Sequence, residues 1–97
     1  MSYYSILNVT PTSTDWIEEY TKITSEIVKK HGGEYIVKSQ NYERLEGEAQ
    51  NDPALIVMLK WPNKEAALNF ENDPEYAPQL KARLEGSISH HFLVEGL

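Results

Sequence analysis

Three histidines are the side chains best suited to hold a metal ion or to carry a proton near neutral pH. His90 and His91 are adjacent in a segment that alternates apolar and polar residues, so their side chains point to opposite faces of a strand and cannot bind one ion together. His31 follows two lysines and precedes Gly32, as at a helix end where imidazole offsets the dipole. The chain has no cysteine, which excludes thiolate ligands and nucleophiles. We predict no metal site and no cofactor.

An acidic run is the next candidate for chemistry. Glu43, Glu46 and Glu48 surround Arg44, and paired carboxylates can do acid and base work when burial raises one pKa. Nothing in the sequence predicts that this run is buried, because it lies in a long polar stretch between apolar segments. A solvated charged loop is therefore the favoured interpretation.

Asn8 is the residue most suited to bind a ligand. It shares one face of a predicted strand with Tyr4, and a buried amide there needs hydrogen-bond partners that a ligand would supply. Trp61 closes a second strand, and Phe70 lies on the helix that follows it. We predict that these four residues line a ligand pocket between the sheet and the second helix. The alternative is that Asn8 bonds to neighbouring backbone and that the aromatic residues are core.

The stretch from Ala54 to Trp61 must position much of this site. Its first six residues are apolar, and prolines at 53 and 62 bound it, so it is too short for a membrane span and fits an interior strand. Leu55, Val57 and Leu59 would occupy one face, with Ile56 and Met58 on the other. We predict a central strand that is buried on both faces.

The remaining elements follow from periodicity, capping residues and breakers. An apolar stripe of Trp16, Tyr20, Ile23 and Ile27 predicts a first helix that starts at Thr14 or Asp15. Asn63 and Asp73 are the expected caps of a second helix and of a short third helix. The third helix should turn Ala77, Leu80 and Leu84 inward. Strands are predicted over Tyr3 to Val9, Glu34 to Gln40 with an extension through Tyr42 to Leu45, and Ser87 to Glu95.

The order is strand, helix, strand, strand, helix, strand, which is the split pattern of a ferredoxin-like α+β sandwich. Residues 1–97 would then form one domain with a four-stranded antiparallel sheet and helices on one of its faces. The other face carries Ile56 and Met58, and an apolar bare face predicts a second copy of the chain. Lys60 shares that face, so we expect glutamates of the partner subunit beside it. These three residues are the predicted dimer interface.

Composition restricts the other partners. The 97 residues carry 15 acidic and 9 basic side chains, a net charge of −6, which repels nucleic acid and anionic lipid surfaces. No apolar run approaches the length of a membrane span, and the first residues lack the features of a signal peptide. We predict a cytoplasmic protein with neither nucleic acid nor membrane as partner.

Several short segments resemble, in order and spacing, the family known as domain of unknown function 1330. They are residues 31–37 (His-Gly-Gly-Glu-Tyr-Ile-Val), 45–47 (Leu-Glu-Gly), 55–62, 65–67 (Glu-Ala-Ala), 73–76 (Asp-Pro-Glu-Tyr) and 94–96 (Val-Glu-Gly). The resemblance implies membership of the dimeric α/β-barrel superfamily, whose bacterial-type small domains pair sheet to sheet. It implies no reaction, so it assigns no catalytic residue.

Two functional hypotheses remain open. The first is a non-catalytic homodimer that binds a small hydrophobic ligand. The second, by analogy with related branches, is a cofactor-free monooxygenase or isomerase that acts on a small aromatic substrate. Asn8 and Trp61 resemble residues of the haem-degrading branch. The second helix, residues 63–72, has no histidine to bind iron, so this branch is set aside.

Overall fold

The computed structural model describes residues 1–50 and 52–97. Within them the chain forms four strands and three helices: β1 (Tyr3–Pro11), α1 (Ile17–Lys30), β2 (Glu34–Ser39), β3 (Leu55–Trp61), α2 (Lys64–Glu71), α3 (Ala77–Gly86) and β4 (Ser87–Glu95). None of the helices in this part of the chain is long and apolar enough to cross a membrane.

The four strands form one antiparallel sheet in the order β2-β3-β1-β4. This order places β3 and β1 at the centre, as the split pattern requires. The predicted ferredoxin-like α+β sandwich is confirmed.

The core lies between one face of the sheet and the helices. Leu7 and Leu59 contribute from the central strands, Val28 from α1 and Phe70 from α2. Trp61 is its largest member and is 0% exposed. Its indole Nε1 donates a hydrogen bond to the Ser5 hydroxyl, 2.8 Å away, so the one polar atom of the ring is satisfied.

None of the helices formed by residues 1–50 and 52–97 lies on the opposite face of the sheet, and an apolar band crosses that face. Met58 lies opposite both Val37 and Ile6, and Ile6 lies opposite Phe92, so the band reaches all four strands. Phe92 is 57% exposed. The sequence predicted a β3 buried on both faces, whereas Met58 on this face is only half-buried within the single chain.

Lys60 also lies on this open face and is exposed. Its neighbours across the sheet are Tyr4 on β1 and Glu34 on β2. The sequence predicted that glutamates of a partner subunit would lie beside Lys60. In the structure, Glu34 of the same chain lies directly opposite it. The interface role of Ile56, Met58 and Lys60 stays a prediction.

Two element boundaries differ from the prediction. Helix α1 begins at Ile17 without a side-chain cap, so Asp15 does not form the expected capping box. Strand β1 continues to Pro11, which pairs with Ser87. Proline is tolerated there because the pairing of β1 with β3 has already ended at Val9, so no amide is needed on that side.

Two further predictions are wrong. Tyr42 to Leu45 lies outside any strand, and Gly47 in this connection adopts a positive φ of 91°. Ala77 and Leu84 do not point inward: Ala77 is exposed and Leu84 is 56% exposed, and the buried face of α3 carries Gln79 and Arg83 instead.

A charged cluster ties the end of α1 to the start of the α3 segment. The Asp73 carboxylate accepts from His31 Nε2 at 2.7 Å and from Lys30 Nζ at 3.0 Å. Its other oxygen accepts from the backbone amide of Glu75 at 2.9 Å. Asp73 therefore caps the turn before α3, which itself begins at Ala77. Asn63 caps α2, as predicted, because its side chain accepts from the amide of Ala66 at 2.8 Å.

Candidate functional site

A small cavity of about 90 Å³ lies between the sheet and helices α1 and α3. Apolar side chains from three strands form its floor: Leu7, Val9, Tyr35, Leu55, Val57 and Leu59. Trp16, Tyr20 and Thr24 line it on the side of α1, and Phe70 lines it from α2. An apolar cavity with a few converging polar groups is the usual form of a small-molecule site.

The polar end of the cavity contains a pair of tyrosines and an arginine. The hydroxyls of Tyr20 and Tyr76 are 3.0 Å apart, and the guanidinium of Arg83 lies 6.0 Å from the centre of the Tyr20 ring. Burial, and then the neighbouring Tyr76, raise the pKa of Tyr20 well above its ordinary value. Burial likewise raises the pKa of Tyr76. Both phenols therefore remain protonated hydrogen-bond donors over the physiological range.

Two buried polar atoms at this cavity have no hydrogen-bond partner among the described residues. They are the Nε of Arg83 and the hydroxyl of Thr24. Arg83 is only 2% exposed, and its Nη1 donates to the Ser89 hydroxyl at 2.6 Å. Polar atoms buried without partners are rare and costly, so they mark where a ligand would bind.

A buried hydrogen-bond chain adjoins the cavity wall at His91. Its Nε2 lies 2.8 Å from the Ser5 hydroxyl, which also accepts from Trp61. Its Nδ1 lies 3.5 Å from a carboxylate oxygen of Glu71, and this contact with His91 lowers the pKa of that carboxyl despite burial. Because both ring nitrogens contact protein partners, the His91 ring is held in one orientation.

The sequence-predicted ligand residues do not meet in one site. Phe70 lines the cavity, and Trp61 packs behind it with ring centres 5.1 Å apart. Tyr4 and Asn8 lie on the open face, where Asn8 pairs with Ile56 and His90 across the sheet. The grouping of all four is wrong, because β1 directs Tyr4 and Asn8 away from the helices.

Asn8 instead lines a depression of the open face, with a volume of about 600 Å³. It shares that depression with Thr10, Gln50, Asp52, Pro53, Ile88, His90 and Phe92. This surface belongs to the same face as the apolar band, so Asn8 is placed near the predicted interface rather than in the enclosed cavity.

Several residues of the cavity escaped sequence reasoning. Arg83 and Thr24 have polar side chains, and polar residues on amphipathic helices are expected outside. The missed signal is position: Tyr76, Gln79 and Arg83 recur at spacings of three and four, which is one helical face. Trp16 and Tyr20 were interpreted as core, and they both pack against the core and line the cavity.

Metal ligation finds no support in residues 1–50 and 52–97. No group of three or more histidine, aspartate or glutamate side chains there is placed to hold an ion. His90 and His91 lie on opposite faces of β4, as their adjacency predicted.

Solved structures of similar fold include three informative examples. A protein of unknown function from Rhodopseudomonas palustris is 15% identical with a TM-score of 0.80, covering 99% of this chain and 82% of its own. A dimeric ferredoxin-like protein of unknown function from Jannaschia sp. CCS1 is 14% identical with a TM-score of 0.78, and the match covers 99% of this chain and 100% of that protein's chain. SnoaB, a cofactor-independent oxygenase from Streptomyces nogalater, is 17% identical with a TM-score of 0.62, covering 99% and 91%.

At these identities the likeness shows the fold and no shared chemistry. No curated protein sequence matches the chain significantly. The model of the family described as a domain of unknown function (DUF1330) matches residues 2–97, so the chain belongs to that family, as its short segments predicted.

Proposed function

We propose that the chain works as a cytoplasmic homodimer that binds a small, largely apolar molecule in the cavity between the sheet and helices α1 and α3. One observation carries the proposal: a partly enclosed apolar cavity ends in buried polar atoms, those of Arg83 and Thr24, that lack partners among the described residues. Voids larger than a water molecule are few in a close-packed interior, which makes this cavity a candidate binding site. The sequence predicted a pocket between the sheet and α2, whereas the cavity that supports the proposal lies between the sheet and helices α1 and α3.

The size of the cavity limits the ligand. Its volume of about 90 Å³ is well below that of the sites that hold drug-sized molecules. A cavity of about 150 Å³ holds benzene, so a short chain fits the cavity as it stands, whereas a single ring requires the wall to move outward and enlarge the cavity by more than half. Tyr35 and Lys38 are the exposed residues of the lining, which places the opening at β2.

Filling the cavity from α1 should abolish ligand binding. Thr21 lines the cavity and is half-buried, so Thr21→Phe places a ring where the ligand would lie. We expect the affinity for toluene or benzyl alcohol to fall by at least about tenfold, since the occupied volume must be displaced. Two-dimensional NMR titration measures this through the amide shifts of α1 and β3.

The matched control is Lys22→Phe, the next residue of the same helix, which is exposed. It introduces the same side chain and should leave the affinity unchanged within about twofold. Equal binding to wild type and Thr21→Phe would contradict the cavity as the site. Shifts confined to the open sheet face would contradict it as well.

Dimerisation through the open sheet face has its own support. The apolar band of Val37, Met58, Ile6 and Phe92 spans all four strands, and a structural relative from Jannaschia is described as dimeric. Exposed apolar bands of this kind mark interaction surfaces. A two-fold axis through the band would place each copy of the band against the other.

A charge placed in the band should therefore dissociate the dimer. Phe92→Glu is expected to raise the dimer dissociation constant by at least about a hundredfold, because a buried glutamate without a partner is costly. Leu84→Glu is the control, since Leu84 is exposed to a similar degree but lies on α3. Sedimentation at micromolar concentration measures the species. A wild-type chain that sediments only at 11.1 kDa would contradict the dimer.

Catalysis without a cofactor is the second candidate. It is favoured by the polar end of the cavity, where the phenols of Tyr20 and Tyr76 and the Arg83 guanidinium could stabilise an oxyanion in apolar surroundings. Any compound that binds is tested for oxygen uptake and for a mass change. Return of the compound unchanged supports binding alone.

A further inference from the structure

Arg83 is the most unusual residue of the cavity, because its cation is buried without a contacting carboxylate. The side chain is 2% exposed. In residues 1–50 and 52–97, no acidic group lies within ion-pair distance of its guanidinium. Its Nη1 donates to the hydroxyl of Ser89, and the guanidinium also interacts with the phenol oxygens of Tyr76 and Tyr20, so the groups it contacts among these residues are all neutral.

The nearest influence of opposite charge comes from Glu71. Its carboxyl pKa is lowered chiefly by the hydrogen bond to His91, with Arg83 contributing from farther away. Glu71 thus interacts primarily with His91 and does not contact the guanidinium. The Nε of Arg83 is buried and has no hydrogen-bond partner within the described part of the chain.

A buried guanidinium without contacting countercharge is costly, and a carboxylate placed against it forms one of the strongest hydrogen-bonded pairs in proteins. One of the two phenols Tyr20 and Tyr76 donates to the other, which leaves one O–H as a neutral donor beside the guanidinium, and donors suit an anionic oxygen. The rest of the lining is largely apolar. The cavity therefore offers one anion-binding end and one apolar end.

We propose that the ligands of this cavity are small monocarboxylic acids, on a single ring or a short chain, whose carboxylate binds Arg83. This inference rests on the proposed binding function and adds the chemical class of the ligand. The apolar end accepts the ring or chain, and the volume of about 90 Å³ excludes nucleotides and other large polyanions.

The test compares benzoate with benzamide, which has a similar shape and no charge. On the wild-type chain, NMR titration should give an affinity for benzoate at least about tenfold higher than for benzamide, because only benzoate neutralises the buried cation. Arg83→Met should remove that preference while keeping benzamide binding. Gln79→Met is the matched control, since it also replaces a buried polar side chain of α3 by methionine but removes no charge, and it should keep the preference for benzoate.

The outcomes separate the two proposals. If benzamide and toluene bind as well as benzoate, the carboxylate inference fails and the binding function stands. If none of the three binds, both fail. Benzoate binding that persists in Thr21→Phe would place the anion outside the cavity and overturn the inference. The wild-type comparison decides the matter even if Arg83→Met does not fold.

Discussion

Trp61→Ala is expected to lower the free energy of unfolding by about 3–5 kcal/mol, the usual range for a large aromatic residue removed from a core. The indole is 0% exposed, packs against Phe70 at 5.1 Å between ring centres, and closes against Gly33. A domain of this size is stable by about 5–15 kcal/mol, so the variant should be close to unfolding at 37 °C. Urea titration at a fixed protein concentration measures the loss.

Ser5→Ala separates the hydrogen bond from the packing. It removes the hydroxyl shared by Trp61 and His91, leaving both nitrogens buried without that partner, and should cost about 1–3 kcal/mol. Leu84→Ala on the exposed side of α3 serves as the control and should change stability by less than about 0.5 kcal/mol. A loss below 1 kcal/mol for Trp61→Ala would mean that the ring is not the centre of the core.

Asp73→Asn is expected to produce the largest loss of stability among the charged residues. The amide keeps the shape and can still accept from the Glu75 amide, but it removes the charge that His31 and Lys30 contact. We expect Tm at pH 7 to fall by on the order of 5 °C. Thermal unfolding followed by circular dichroism measures it.

The pH dependence of this effect has a definite sign. The hydrogen bond from His31, followed by those from the Glu75 amide and Lys30, holds the pKa of Asp73 well below its ordinary value. Its contribution is therefore present above about pH 4 and is lost as the pH falls towards the folded-state value. The difference in Tm between wild type and Asp73→Asn should shrink in the same direction.

Glu75→Gln is the control, because it removes an exposed carboxylate that pairs with the same lysine. Its carboxylate lies 3.7 Å from Lys30 and is largely exposed, so this ion pair contributes little. The variant should keep the Tm of wild type within about 2 °C. A Tm difference for Asp73→Asn that stays constant down to pH 3 would contradict the role of the Asp73 charge.

The fold was predictable because its elements carry local signals. The apolar run of β3, the stripe on α1, and the Asn63 cap each act through neighbouring residues in the sequence. The order of elements then restricts the sheet to few topologies. The start of α1 was missed because Asp15 and Glu18 resemble a cap but Trp16 occupies the cap position, where its indole donates to the Gly86 carbonyl across the fold.

The candidate site was harder to predict, because it depends on contacts between distant segments. Arg83 is buried while the neighbouring Leu84 is exposed. A rule based on side-chain polarity predicts the opposite for each of them. Asn8 was assigned to the wrong face, since alternation on β1 separates two faces without saying which one the helices cover. The choice is made by Leu7 and Val9, which pack against the helices and leave Asn8 outside.

The two tryptophans occupy sites with different optical consequences. Trp16 is half-buried at the cavity wall, whereas Trp61 is sealed in the core and hydrogen-bonded to Ser5. Fluorescence from Trp16 will therefore respond when the cavity fills, and that from Trp61 will change chiefly on unfolding. With Trp16 replaced by phenylalanine, the remaining signal reports the core alone, so the chain carries separate intrinsic probes for occupancy and for stability.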